Sequence, residues 1–334
     1  MDLRTDGSEG ALETTRILTF VAVAYGVAWL VGLYIYLTGG LGGPARLVSG
    51  VPVSRALILL ATGYMWAPAI ANVAARLLTG EGWTDVRLRP RIRSAWPHWL
   101  AALFLPPVLV LLGVGVYFLA LPGQYDPALS TLRNMPGVGA AAATFPGGVW
   151  GLLAVYLLQS VVVAALLNSL FTFGEEFGWR GYLLYKLLPL GGRRAAVLTG
   201  VVWGVWHWPI IAMGYNYGLD YPGAPWLGPV AMLWFTVVTG VVLAWLALRG
   251  GSVWPAVVGH ATINGFGAAG VVFLRQGASP NPLLGPFATG VVVTLPWALV
   301  AGYLLWKPGA LEPKAPPVSA DERDGSDPSP AAAE

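Results

Sequence analysis

The sequence predicts an all-α fold: a polytopic transmembrane helical bundle of about eight spans around a membrane-embedded cavity. Three observations carry that prediction. The 334 residues are 56% hydrophobic and only 10% charged, with a mean hydropathy of +0.65, whereas ordinary soluble domains carry roughly 25% charged residues. Apolar runs of about 20 residues, the length that crosses a bilayer as a helix, recur along the chain. The arginines cluster in particular connections between those runs, as topology signals do.

The spans are expected at 17–38, 55–79, 97–121, 148–174, 195–213, 227–248, 253–273 and 284–306. A polar tail over 1–15 precedes them; it carries four acids and the first apolar run is long enough to span, so no cleavable signal peptide is expected. Residues 16–306 form one transmembrane domain whose motif-bearing core is 150–270, and 307–334, rich in Pro, Ala, Ser and Asp, reads as a disordered tail. Segment 177–194 is too polar to span and too apolar to be a free loop. Leucines 183, 184, 187 and 188 beside Arg180, Lys186, Arg193 and Arg194 predict a short amphipathic helix at the interface.

Orientation follows from the basic residues. Arg87, Arg89, Arg91 and Arg93 sit between spans two and three, and Arg180, Lys186, Arg193 and Arg194 between four and five, while 214–226 has no Lys or Arg. With both termini cytoplasmic, the basic connections fall on the cytoplasmic side of a cell membrane that the chain crosses many times. These residues mark topology and form no nucleic-acid patch. Cysteine is absent, which excludes disulfides, thiolate metal sites and a thiol nucleophile.

Against this background the stretch Phe173-Gly174-Glu175-Glu176-Phe177-Gly178-Trp179-Arg180 stands out, because 149–173 carries no charge at all. An acid near a spanning-helix centre costs about 2.5 to 3.5 kcal/mol, so an intramembrane carboxylate reads first as functional. Glu176 and Arg180 are spaced i, i+4 with the acid first, the better order for a helical ion pair. Glu175 points about 100° away and is left to face a cavity. His207 and His260 lie inside spans, and His260 and Asn264 share one helix face at i, i+4. His98, between Trp96 and Trp99, reads as a headgroup-level anchor. Pro209 denies Val205 its helical partner, so span five is expected to kink or end beside His207. Counting residues from the basic ends places these groups in the cytoplasmic half of the bilayer, with the cavity opening there. A base, a positioned water and hydrogen-bond donors are the components hydrolysis requires. Two His with a Glu also form a valid zinc set, but the i, i+4 His pair of HExxH is missing, and no cofactor is the favoured reading.

The order Glu175-Glu176-x-x-x-Arg180, His207 in an aromatic-rich span, then His260-x-x-x-Asn264 resembles the CPBP family of intramembrane endopeptidases. That family includes the CAAX prenyl proteases and bacterial membrane proteases linked to bacteriocin maturation and self-immunity. The resemblance covers roughly 150–270, with Trp203 where the family usually has Phe. It implies a metal-independent glutamic protease: Glu175 as general base, His207 helping to hold the water, His260 and Asn264 as oxyanion hole, Glu176 and Arg180 orienting the catalytic helix. The implied partner is a hydrophobic or membrane-anchored peptide or protein in the lipid bilayer. A proton-coupled small-molecule transporter using Glu175, and a non-catalytic bacteriocin-immunity or scaffold protein on the same fold, are the competing readings. Substrate identity, its lipidation and the oligomeric state are not encoded in any motif.

Overall fold

A computed structural model describes residues 12–42 and 54–313; the expected tails therefore lie largely outside the described residues. Helices α1 (Thr14–Leu37), α2 (Arg55–Leu78), α3 (Ile92–Ala120) and α4 (Gly148–Leu167) come first. A short α5 (Ser169–Gly178) continues from α4 through Asn168. After it come α6 (Gly192–Ala212), α7 (Leu227–Gly250), α8 (Trp254–Gly265, extended by a 3-10 turn over Ala269–Phe273) and α9 (Leu295–Trp306). Among the described residues seven segments, α1 to α4 and α6 to α8, are long and apolar enough to cross a membrane. Their outer faces carry the exposed Leu30, Leu33, Leu158, Leu166 and Val230, side chains suited to lipid.

Two expectations are corrected. The eighth apolar run is not a full span: only the 12-residue α9 is helical there, about 18 Å at 1.5 Å per residue against a hydrocarbon core of about 30 Å. Gly285, Pro286 and Gly290 interrupt the run, and Phe287, Ala288 and Thr289 instead line an internal cavity. Irregular backbone at membrane depth is tolerated where protein buries it or it borders a cavity. Segment 177–194 is likewise no interfacial helix. A π-turn over Trp179–Leu183 and a further turn over Leu184–Leu187 carry it into the core, where Trp179, Arg180, Tyr182, Leu183 and Leu184 are buried. Arg180 is drawn inward by Glu176, which removes the charge from the face that would have met headgroups. Pro209 does not end α6 at His207 either; the helix runs five residues further to Ala212.

The chain's charged end is knitted together by long-range pairs. Lys186 bonds Glu13 at 2.8 Å and Glu81 at 2.6 Å, Arg76 bonds Asp85 at 2.7 Å, and Arg193 donates to the Trp306 carbonyl at 3.2 Å. The start of α1, the ends of α2 and α9 and the start of α6 therefore share one face. The loop between α2 and α3 joins them there, with the Val253 N–H on the Arg87 carbonyl at 3.1 Å and the Trp254 indole on the Leu88 carbonyl at 2.8 Å.

Close approach of α5 to α2 depends on two glycines. A Cβ on Gly174 would stand 2.7 Å from the Met65 carbonyl oxygen, and one on Gly178 would stand 2.4 Å from Pro68 Cβ and 2.5 Å from its carbonyl oxygen. Gly178→Ala should therefore destabilise the protein by about 1–3 kcal/mol, the usual cost of overpacking. Gly26→Ala, in a lipid-facing helix with nothing within 4 Å of the added methyl, should be neutral or slightly stabilising. Thermal unfolding of both variants in detergent checks this, and equal melting temperatures would contradict the packing argument.

Candidate active site

The site begins with the two adjacent carboxylates of α5, which the structure sends to different partners. Glu176 is fully buried, and its Oε1 accepts from Arg180 Nη1 at 2.8 Å and from His260 Nδ1 at 2.9 Å. Arg180, also fully buried, lies with its guanidinium carbon 4.5 Å from the Trp203 ring centroid. The cation thus has a carboxylate on one side and an aromatic face on another, as a desolvated guanidinium requires. Thr172 Oγ1, one turn before Glu176, donates to the Val257 carbonyl at 3.0 Å and fixes α5 against α8.

Glu175 is buried at 3% exposure, but it borders open space. Its Oε2 accepts the indole N–H of Trp203 at 2.7 Å. One turn later on α6, His207 Nδ1 bonds the Trp203 carbonyl at 2.9 Å. A carbonyl only accepts, so Nδ1 carries the proton and Nε2 of neutral His207 is the acceptor. The Trp203 ring lies 5.1 Å from His260 and 5.7 Å from His207, centroid to centroid. His260, held through Nδ1 by Glu176, likewise keeps Nε2 for the cavity that it lines.

Glu175, His207, His260 and Asn264 all border a single cavity of about 370 Å³. The sequence reading brought these four together and placed Glu176 with Arg180, and the structure has both arrangements. It differs in three respects. Glu176 holds His260 as well as Arg180, so the ion pair belongs to the site and is no mere helix brace. Trp203, which the sequence marked only as standing where the family usually has Phe, is a hydrogen-bond donor to Glu175; its one signal was a ring N–H at the position i−4 from His207, where Phe has none. Tyr64 also borders the cavity, its hydroxyl on the Trp206 carbonyl at 2.6 Å.

The third difference concerns which end the cavity faces. Beyond the catalytic candidates its walls come from Tyr215 and Asn216 past the end of α6, Gly267 and Ala268 past α8, and Phe287 to Thr289 before α9. These lie at the end of the bundle opposite the Lys186, Arg193 and Arg87 contacts. The expected opening toward the basic end is not what the walls describe, because the Glu176–Arg180 pair and the buried Trp179–Leu184 segment fill that side. Among the described residues no three His, Asp or Glu side chains are grouped to hold a metal ion.

Residues 149–266 match the family described as Rce1-like, type II CAAX prenyl endopeptidase. The chain is also similar to CAAX prenyl protease 2 of Methanococcus maripaludis, 30% identical over 155 residues, which are 45% of this chain and 54% of that protein. It thus covers about half the length of that curated relative. The matched stretch begins at α4 and ends just past Asn264, and it contains each of the six residues that carried the resemblance read from the sequence; the resemblance to the CPBP/CAAX protease family is borne out.

The buried pair gives a test of its own. Arg180→Met should cost about 3–5 kcal/mol by stranding Glu176 in the core, whereas the double variant Glu176→Gln with Arg180→Met should recover much of that loss. Chemical denaturation in detergent micelles measures both. Additive losses would show that the two side chains do not interact.

Proposed function

We propose that this protein is an intramembrane endopeptidase that hydrolyses a peptide bond of a membrane-associated protein or peptide, using water activated by Glu175. The observation that supports the reading most is the division of labour between neighbouring carboxylates. Glu176 is occupied by a cation and an imidazole, while Glu175 borders the cavity with one oxygen on Trp203.

In this reading Glu175 takes a proton from a water that also donates to His207 Nε2. The resulting hydroxide forms a C–O bond to the scissile carbonyl. The Asn264 amide and the His260 Nε2–H donate to the oxyanion; for both His260 nitrogens to donate, the ring carries two protons and Glu176 is its counter-ion. Collapse breaks the C–N bond, and Glu175 passes its proton to the leaving nitrogen. Preorganised donors in a water-poor site of this kind supply much of the barrier reduction in acyl transfer. The step needs no metal, and no cofactor is assigned. The name of the Methanococcus maripaludis relative describes a prenyl protease; for this chain the proposed substrate is the wider class of membrane-associated polypeptides.

Purified protein given membrane-proximal peptides should cleave them, and Glu175→Gln should abolish cleavage. Asn264→Ala should lower kcat by roughly 100- to 1000-fold, the usual loss for one oxyanion donor. Trp203→Phe should lower kcat by roughly tenfold, the scale of one hydrogen bond to a charged group. Chelator should leave the rate unchanged. Cleavage that survives Glu175→Gln, or that chelator abolishes, contradicts the proposal.

A further inference from the structure

The connection between α2 and α3 carries an arginine at every second position: Arg87, Arg89, Arg91 and Arg93. A topology signal needs positive charge somewhere in such a connection, but no particular shape. This connection has a shape imposed on it. The Val253 N–H reaches the Arg87 carbonyl at 3.1 Å, the Trp254 indole N–H the Leu88 carbonyl at 2.8 Å, and the Trp99 indole N–H the Pro90 carbonyl at 3.2 Å. Arg87 and Arg91 have φ of 58° and 51°, and only two other non-glycine residues among those described, Leu129 and Asn216, have positive φ. Long side chains rarely adopt that conformation; it persists where the surroundings enforce it, and such positions cluster at binding sites.

The pinned loop borders a cavity of about 620 Å³ to which Trp83, Arg87, Arg89, Arg91 and Gly251 contribute. Arg91 Nη1 lies 3.6 Å from a Cβ placed on Gly251, just past the end of α7, and the Arg87 guanidinium carbon lies 4.5 Å from the Tyr185 ring centroid. The one acid on the cavity wall, Asp85, is already bonded to Arg76 at 2.7 Å. Among the described residues, none of Arg87, Arg89, Arg91 and Arg93 forms an ion pair or donates a hydrogen bond from its guanidinium. Other cations on this end of the molecule are matched, Arg16 by Glu13, Arg76 by Asp85 and Lys186 by Glu81. Three guanidinium groups around one cavity, with no counter-charge among them, repel one another until an anion arrives.

Position decides which anion. Ile92 opens a segment long and apolar enough to cross a membrane, so the residues just before it stand at headgroup level. Leu88, Ile92 and Trp96, close in sequence to the arginines, are exposed and suited to acyl chains and the interface. We propose that Arg87, Arg89 and Arg91 form a binding site for the phosphate of an acidic phospholipid headgroup in the leaflet that the basic end faces. Guanidinium forks match phosphate oxygens with paired N–H donors, which explains arginine in place of lysine at all four positions. A zwitterionic headgroup brings its own cation and leaves the cluster uncompensated, and inorganic phosphate lacks chains for Leu88, Ile92 and Trp96. The site stands independently of the hydrolytic reading. It nevertheless touches the catalytic helices: Trp254, which holds the Leu88 carbonyl, stacks at 5.2 Å on Phe173 of α5, two residues before Glu175.

Delipidated protein in neutral detergent, titrated with short-chain phosphatidylglycerol, phosphatidylcholine or inorganic phosphate, tests the site through its melting temperature and through the lipid retained in native mass spectra. Phosphatidylglycerol should raise the melting temperature saturably, and the other two at the same concentration should not. Arg89→Gln with Arg91→Gln should weaken the apparent affinity for phosphatidylglycerol by about tenfold or more, the scale of lost hydrogen bonds to a charged group. Should the Arg91 change disturb folding, Arg89→Gln alone should weaken it severalfold, with Arg89→Lys between that variant and the parent. Arg194→Gln removes one charge from an exposed position on the same end and should leave the affinity unchanged. Equal losses in Arg89→Gln and Arg194→Gln mark diffuse surface charge and overturn the site. Saturable stabilisation by inorganic phosphate, with nothing added by the lipid, overturns the lipid assignment, and equal retention of phosphatidylcholine overturns recognition of an acidic headgroup.

Discussion

Everything in the site depends on a carboxylate being withdrawn from chemistry. Glu176 sits in the core with no exposed surface, held by Arg180 at 2.8 Å and His260 at 2.9 Å on one oxygen. A buried pair of this kind adds little net stability compared with apolar groups of the same shape, but losing one partner is costly. Its structural value here lies in geometry. It draws the segment after α5 into the core, joins α5 to α8, and fixes the ring of His260 through Nδ1, so that Nε2 is the nitrogen left for the cavity. Trp203 then ties the layers together, with its face on Arg180 and its N–H on Glu175. Neighbouring glutamates, one residue apart in sequence, acquire unlike surroundings because helical geometry turns them about 100° from each other.

Backbone chemistry builds the space around that cluster. Gly174 and Gly178 let α5 lie against Met65 and Pro68 of α2 closer than any larger residue allows. The glycine- and proline-interrupted run before α9 supplies Phe287, Ala288 and Thr289 as a wall, and its Gly267-bonded Ala288 N–H, at 2.8 Å, anchors that wall to the end of α8. A regular eighth span would have buried its hydrogen bonds within itself and presented a flat face. The irregular segment exchanges that regularity for a cavity boundary, as broken backbone at membrane depth does where protein covers it.

Much of this was legible before any coordinates. Hydropathy located the seven helices that, among the described residues, are long and apolar enough to span, because about 20 apolar residues at membrane depth have few alternatives to a helix. The charge-free approach to Glu175 and Glu176, the i, i+4 spacing to Arg180 and the His260–Asn264 pair identified the cluster. Three things were hidden. Apolar content alone could not separate the run at 284–306 into a cavity wall and a short helix, since composition does not record where Gly285, Pro286 and Gly290 break the hydrogen-bond ladder. Arg180 was counted with the leucines of an interfacial helix because its partner, four residues earlier, was credited only with a local pair. The direction of the cavity was misjudged because residue counts along helices give depth, not which side of that depth is filled; Trp179, Tyr182 and Leu183 fill the basic side.

The central claim is that a peptide carbonyl placed beside Glu175 meets Asn264 and His260 at its oxygen. The most direct measurement is a density map of the inactive Glu175→Gln protein with an uncleaved substrate peptide bound. The account predicts the scissile carbonyl oxygen within about 3 Å of the Asn264 amide nitrogen and His260 Nε2, with Glu176 still bonded to both Arg180 and His260. A peptide seated elsewhere, or a carbonyl turned away from both donors while the residue 175 side chain pairs with Arg180, would contradict it.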